Sequence, residues 1–212
     1  MSNYVTAIGL DVHARSIKAC ALNPMTGEVE RASFGYDPAS VAEWALGFES
    51  PKAVYESGVT GFHLCRALRA LGLDCAVGAV SKMQRPAADR GRKTDRRDAE
   101  FLARPLATRN VVEVWVPDER TEAARDLSRA LADARGDLQR AKQRMSKFLL
   151  RHGHVFDEPT PTGGRRGNWT RAYWRWADAI EFVEPDDAAA YEHYRDCVRR
   201  CEEARDALAR RV

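Results

Sequence analysis

Lysine is scarce in this chain. Of its 34 basic residues only six are lysine, at 18, 52, 82, 93, 142 and 147, and the other 28 are arginine. A GC-rich genome accounts for part of that bias. The rest favours planar, bidentate partners such as phosphate. Paired cysteine motifs are also missing. The five cysteines, at 20, 65, 75, 197 and 201, are odd in number and contain no CxxC. Cys197 and Cys201 share a helical face but read as two thiols without a histidine partner, a poor zinc site. Reduced thiols and an oxidant-free compartment follow. There is no long apolar run and no secretory leader pattern, so the expectation is a soluble, cytoplasmic protein without a membrane partner. Nor does Ser57, Ser81 or Ser146 have the neighbours of a nucleophilic triad, so no nucleophile is assigned in this chain.

What is present is a core-forming fraction with a heavily charged remainder: 44% hydrophobic, 31% charged, net charge only +3 over 212 residues. The charge is clustered. Between Lys82 and Arg109 nine basic residues face four acidic ones, and between Arg135 and Arg151 six face one, a local net of +5 in each case. Patches of this kind suit a polyanion, with a solvated face as the plain alternative. The candidate nucleic-acid contacts are Lys82, Arg85, Arg90, Arg92, Lys93, Arg96 and Arg97 in the first patch, and Arg140, Lys142, Arg144, Lys147 and Arg151 in the second.

Segments 4–10, 16–22 and 28–34 read as three strands, the second and third joined by the turn NPMTG. Asp37 and Pro38 open a short helix. KAVYE, 52–56, is a buried strand. A helix over 58–71, a strand over 75–80, a basic irregular stretch, a helix capped by Thr94 and an extended segment over 111–116 follow. An antiparallel meander leading into parallel strands joined by crossover helices is a ribonuclease H-like mixed sheet, an α/β fold over residues 1–117. Beyond Pro117 the chain turns helical. Residues 119–151 are almost free of breakers and would extend about 50 Å at about 1.5 Å per residue, long enough to project as a coiled-coil arm. Residues 152–168 are loop, WTRAYWRWADAIEF is a short aromatic helix, and a return helix runs from Asp186 to the end. Residues 118–212 thus form a second domain, a helical hairpin. Its last helix stops at DALARRV without a cap, which points to truncation before a further domain.

Asp11, in GLDVH, closes an apolar strand-like run. A carboxylate there is costly unless it is paired. It either caps a turn or meets a metal ion. Glu56 closes KAVYE, and Asp95 and Asp98 share a face at the start of the helix after the basic loop. If the first strand neighbours KAVYE, Asp11 and Glu56 lie about 5 Å apart. Each acid has a modest reading of its own as a cap, a helix-dipole partner or an ion-pair member. Taken together they select Mg²⁺ or Mn²⁺, the ions of oxygen-only sites and of phosphodiester chemistry.

These residues carry a resemblance. GLDVH, YESGVTGFHL, KTDRRDAEFLA, VWVPDE and QRMSKFLLRHG resemble the DEDD-type insertion-sequence transposases, over nearly the whole chain. Those are bacterial recombinases with a RuvC-like N-terminal domain, some of them guided by a bridge RNA. The resemblance implies that Asp11, Glu56, Asp95 and Asp98 are catalytic and bind Mg²⁺. It implies DNA and a guide RNA as partners, dimers or tetramers with composite active sites, and nucleoid association when bound to DNA. It also implies a C-terminal transposase domain with a nucleophilic serine, which this chain does not reach. A non-catalytic fragment that binds nucleic acid and self-associates is the alternative. An actin-like kinase would need Gly-Thr or Gly-Ser after Asp11, where VHAR stands. A compact Holliday-junction resolvase has no use for the long helices.

The remaining histidines read as bystanders: His13 as support for Asp11 or as structure, His63 as packing, His152 and His154 as loop residues too few for a metal. Trp169, Tyr173 and Trp176 form a helical stripe that reads as core or interface, with base stacking beside Arg171 and Arg175 as the minor alternative.

Overall fold

The computed structural model describes residues 4–79 and 95–212, with the backbone alone for residues 95–98. The chain divides into two compact units, Met1–Asp118 and Glu119–Val212.

The first unit is a six-stranded sheet of β1 (Thr6–Val12), β2 (Ser16–Leu22), β3 (Val29–Gly35), β4 (Pro51–Glu56), β5 (Asp74–Gly78) and β6 (Glu113–Val114), in the order β3-β2-β1-β4-β5-β6. Helices α1 (Pro38–Leu46), α2 (His63–Ala70) and α3 (Asp95–Ala107) lie between the strands in sequence. β1 pairs antiparallel with β2 and parallel with β4, and β4 pairs parallel with β5. This is the ribonuclease H-like arrangement. β1 is central and covered on both faces, so Thr6 to Leu10 are all buried and Ala7 to Leu10 run without a polar side chain. β3 is an edge, and its residues are exposed or half-buried. The β2–β3 turn forms because the Asn23 side chain accepts from the amides of Met25 at 2.9 Å and Thr26 at 3.3 Å, while Gly27 takes φ of 75°. Asp37 caps α1 by accepting from the Ala39 and Ser40 amides, with Pro38 in the first turn.

The two faces of the sheet carry different partners. Ile8, Leu10, Ala53 and Tyr55 pack with Val41, Ala45, Leu64 and Leu68 of α1 and α2. Ala7, Val54 and Ala76 pack with Leu102 and Leu106 of α3.

Three expectations need correction. The segment after α3 pairs with β5 antiparallel, not parallel, and over two residues only. The Ala79 amide donates to the Val112 carbonyl at 2.9 Å, so the chain meets β5 at its C-terminal end and runs back along it. α2 starts at His63 rather than Gly58. Residues 57–62 are instead a turn, with Gly61 at φ of 64° and its carbonyl held by the Tyr55 hydroxyl at 2.9 Å. His63, the first residue of α2, is exposed and not packed.

The second unit contains α4 (Glu119–Arg151), α5 (Arg171–Asp178) and α6 (Pro185–Ala209). α4 has the length expected from its nearly breaker-free sequence, and Gly136 is accommodated within it. It packs against α6 in the opposite direction: Lys142 pairs with Glu202 at 2.8 Å, whereas Phe148, farther along α4, meets Tyr191 and Tyr194, nearer the start of α6. Leu138, Ala141, Met145, Phe148, Tyr173, Ala177, Tyr191 and Val198 form the core between the three helices. Trp169, Tyr173 and Trp176 belong to this core and its margin. No described helix is long and apolar enough to cross a membrane.

Candidate active site

Asp11 sits one residue before the end of β1, opposite Lys18 of β2. It therefore lies inside the strand instead of ending it. The β1–β4 register pairs Leu10 with Tyr55, and one step further brings Asp11 beside Glu56 at the spacing of adjacent strands, about 4.8 Å. Side chains alternate along a strand. Ala7 and Gly9 face α3, as does Val54, so Asp11 and Glu56 point to that same face.

α3 runs opposite to β1. The Tyr4 hydroxyl, before β1, donates to the Leu106 carbonyl near the end of α3 at 2.5 Å. Gly9, farther along β1, lies against Ala99 and Ala103. The N-terminus of α3 thus overlies the Asp11 end of the sheet. Positions 95 and 98 precede the buried Ala99 and Leu102 by four residues and share their stripe of the helix. The side chains of Asp95, Arg96, Arg97 and Asp98 lie outside the described residues, as do Thr94, Lys82, Arg85, Arg90, Arg92 and Lys93 entirely.

Among the described side chains Asp11 is 17% exposed and accepts from Nε2 of His13 at 3.0 Å. Glu56 is exposed. No group of three or more His, Cys, Asp or Glu side chains among the described residues is arranged to hold a metal ion. Two carboxylates of the expected four fall within that description, and their hard oxygen donors fit a divalent cation of the Mg²⁺ type.

His13, two residues past Asp11, makes the contact that its spacing on one strand face suggests. Sequence reasoning missed two features. Gly9 admits α3 against the sheet, and a lone glycine inside a strand pattern is the usual signal of close backbone approach. On α6, His193 Nε2 lies 3.5 Å from the Cys197 sulfur, so Cys197 has a histidine neighbour one turn away, which its i, i+4 spacing could have indicated.

In the second basic patch, Arg144 and Lys147 are exposed and have no ion-pair partner among the described residues. Arg140 pairs with Asp137. Arg151 lies 5.7 Å over the Phe148 ring. Lys142 is only 17% exposed, pairs with Glu202 and lies 5.1 Å over the Trp169 ring, so it serves packing first. His152 and His154 stand against the ring of Phe182 at 5.1 and 5.3 Å.

A family model described as a transposase, of the DEDD type named for IS110, matches residues 8–153. The chain is 40% identical over 159 residues to a putative transposase of Sinorhizobium fredii, covering 75% of this chain and 38% of that protein. It is 29% identical over 211 residues to the transposase for an insertion sequence element of Leptospira borgpetersenii, covering 97% of this chain and 59% of that protein. The chain thus spans less than two thirds of either relative. The match begins within β1, at Ile8, and takes in both Asp11 and Glu56 as well as positions 95 and 98, so the chain belongs to the DEDD transposase family of IS110-type insertion sequences.

Proposed function

We propose that this chain is the metal-binding and nucleic-acid-binding N-terminal half of a DNA transposase that acts on phosphodiester bonds under the guidance of a structured RNA. The observation that carries this reading is the placement of Asp11 and Glu56 on one sheet face beneath the N-terminus of α3, the helix that opens at Asp95. Asp11, Glu56, Asp95 and Asp98 would hold Mg²⁺ or Mn²⁺, which supplies Lewis-acid activation of a phosphate oxygen and a nucleophile. The protein's own part is to keep four mutually repelling carboxylates together. Asp11 is fixed by the β1 ladder and by His13, Glu56 by β4, and the α3 end by the close approach at Gly9. The basic residues of 82–97, with Arg140, Arg144, Lys147 and Arg151, would deliver the backbone by phosphate contacts that position without reading sequence. Self-association into dimers or tetramers through the helical unit completes the reading.

Filter binding of the chain to duplex DNA and to a structured RNA, over a salt series and with or without Mg²⁺, tests it. Salt-steep binding strengthened by Mg²⁺ in the wild type, but not in Asp11→Asn, is the expected result. Affinity independent of salt would contradict the reading. Salt-steep binding that ignores both Mg²⁺ and Asp11 would favour the non-catalytic binding fragment.

A further inference from the structure

The segment from Glu158 to Arg175 of the second unit forms a concave, arginine-lined surface that the proposed function leaves unused. Thr160, Arg165, Arg166, Gly167, Arg171 and Arg175 border a cavity of about 380 Å³. Its frame is fixed. The Thr160 amide donates to the Gly164 carbonyl at 2.7 Å, the Gly164 amide donates to Thr160 Oγ1 at 2.9 Å, and the Arg166 amide donates to the Glu158 carbonyl at 2.9 Å. Gly163, at φ of 81°, makes the turn. Thr170 joins the frame to α5: its hydroxyl donates to the Gly167 carbonyl at 3.1 Å and accepts from the Tyr173 amide at 3.3 Å. Ala172 and Tyr173, both buried, anchor the helix in the core.

The four arginines divide into two kinds. Arg165 is held by Asp157 at 2.9 Å and Arg166 by Glu158 at 3.0 Å. Arg171 and Arg175, one helical turn apart and exposed, have no ion pair or side-chain hydrogen bond among the described residues. The cavity therefore carries two uncommitted guanidinium groups. Beside them are the first-turn amides of α5, which no helical carbonyl satisfies. Its charged and polar lining groups are guanidinium and threonine hydroxyl groups, with no carboxylate among the lining residues. An open, cationic, fork-bearing wall of this kind suits an anion that belongs to a long strand lying across it.

We propose that this surface grips the phosphodiester backbone of a nucleic-acid strand, in addition to the basic residues at 82–97 and 140–151. The inference rests on the nucleic-acid reading above and adds a contact to it. Filter binding to a DNA duplex and to an RNA hairpin across a salt series tests it. An Arg171→Ala/Arg175→Ala double variant is compared with wild type and with Arg129→Ala, whose arginine pairs with Asp126 on the exposed part of α4. The double variant should bind more weakly at every salt concentration, with a salt slope smaller by about two units, one per lost phosphate contact. Its thermal midpoint should be that of the wild type, and Arg129→Ala should bind as wild type. Whether the loss falls on DNA or on RNA identifies the strand held. A double variant with wild-type slope on both overturns the inference while leaving the Asp11 reading intact, even if inorganic phosphate alone raises the wild-type midpoint. No salt-dependent binding by the wild type would contradict the wider reading and this one with it.

Discussion

Gly9 of β1 lies against the backbone of α3: a β-carbon there would meet the Ala99 carbonyl oxygen at 2.0 Å and the Ala103 amide nitrogen at 2.6 Å. Both atoms are backbone, so a side chain cannot be accommodated by a rotamer change. Gly9→Ala should push α3 away from the sheet and cost about 1–3 kcal/mol, the range of overpacked cores. Urea denaturation measures this. A wild-type midpoint would mean that helix and strand are not in the contact described.

Glu100 ties α3 to two arginines. Its carboxylate accepts from Arg104 at 2.6 Å and from Arg31 of β3 at 2.7 Å. The Arg104 bond first, and then that of Arg31, holds its pKa below the ordinary glutamate value. A depressed folded pKa means stability that is present above the unfolded value and lost as pH falls through the folded one. Glu100→Gln should therefore lose less stability than wild type between neutral pH and pH values below the ordinary glutamate range. At neutral pH the variant should be weaker by about 1 kcal/mol or less, since the pair is partly exposed. Parallel acid curves for the two proteins would contradict this.

The Tyr55 hydroxyl fixes the turn that follows Glu56. It donates to the Gly61 carbonyl at 2.9 Å and accepts from the Cys65 amide at 3.3 Å. Burial pushes the phenol well above its usual pKa, so it remains a neutral donor through the alkaline range. Tyr55→Phe should cost about 1–3 kcal/mol by leaving these groups unpaired, and should speed amide exchange at Cys65, whose N–H loses its acceptor. Unchanged exchange at Cys65 would remove the hydroxyl from this role.

Phe148 is the aromatic centre of the helical unit. It is 4% exposed, with the rings of His152, Phe182 and Tyr194 at 4.5, 5.3 and 5.3 Å. Phe148→Ala should cost about 3–5 kcal/mol. Tyr191, beside it, donates to the Ala177 carbonyl at 2.7 Å, and burial raises its pKa to about 12. Spectrophotometric titration should find this phenol ionising well above an exposed tyrosine.

The meander was legible because β1 and β2 have apolar runs and NPMTG has turn chemistry. The length of α4 was legible because nothing between Glu119 and Arg151 breaks a helix. The direction of β6 was not, since two paired residues have no periodicity of their own and take their sense from where the chain meets Ala79. The start of α2 was not legible because Gly58 and Gly61 sit in an otherwise helix-like spacing, and it is Gly61, at φ of 64°, that makes the turn. At the candidate site, the acids were visible as residue types. Their shared face became arguable only with the β1–β4 register and the course of α3, both set by long-range pairing. Arg171 and Arg175 were visible only as neighbours of an aromatic stripe. The hairpin that makes them line one cavity depends on the Thr160–Gly164 contacts.

Calorimetric titration with Mn²⁺ tests the proposed four-carboxylate cation site. Wild type should bind in a saturable manner. Asp11→Asn, Glu56→Gln, Asp95→Asn and Asp98→Asn should each weaken binding at least tenfold, while Glu181→Gln, in the second unit and outside the site, should leave it unchanged. Equal, weak binding by wild type and all four variants would mean that these carboxylates hold no shared cation.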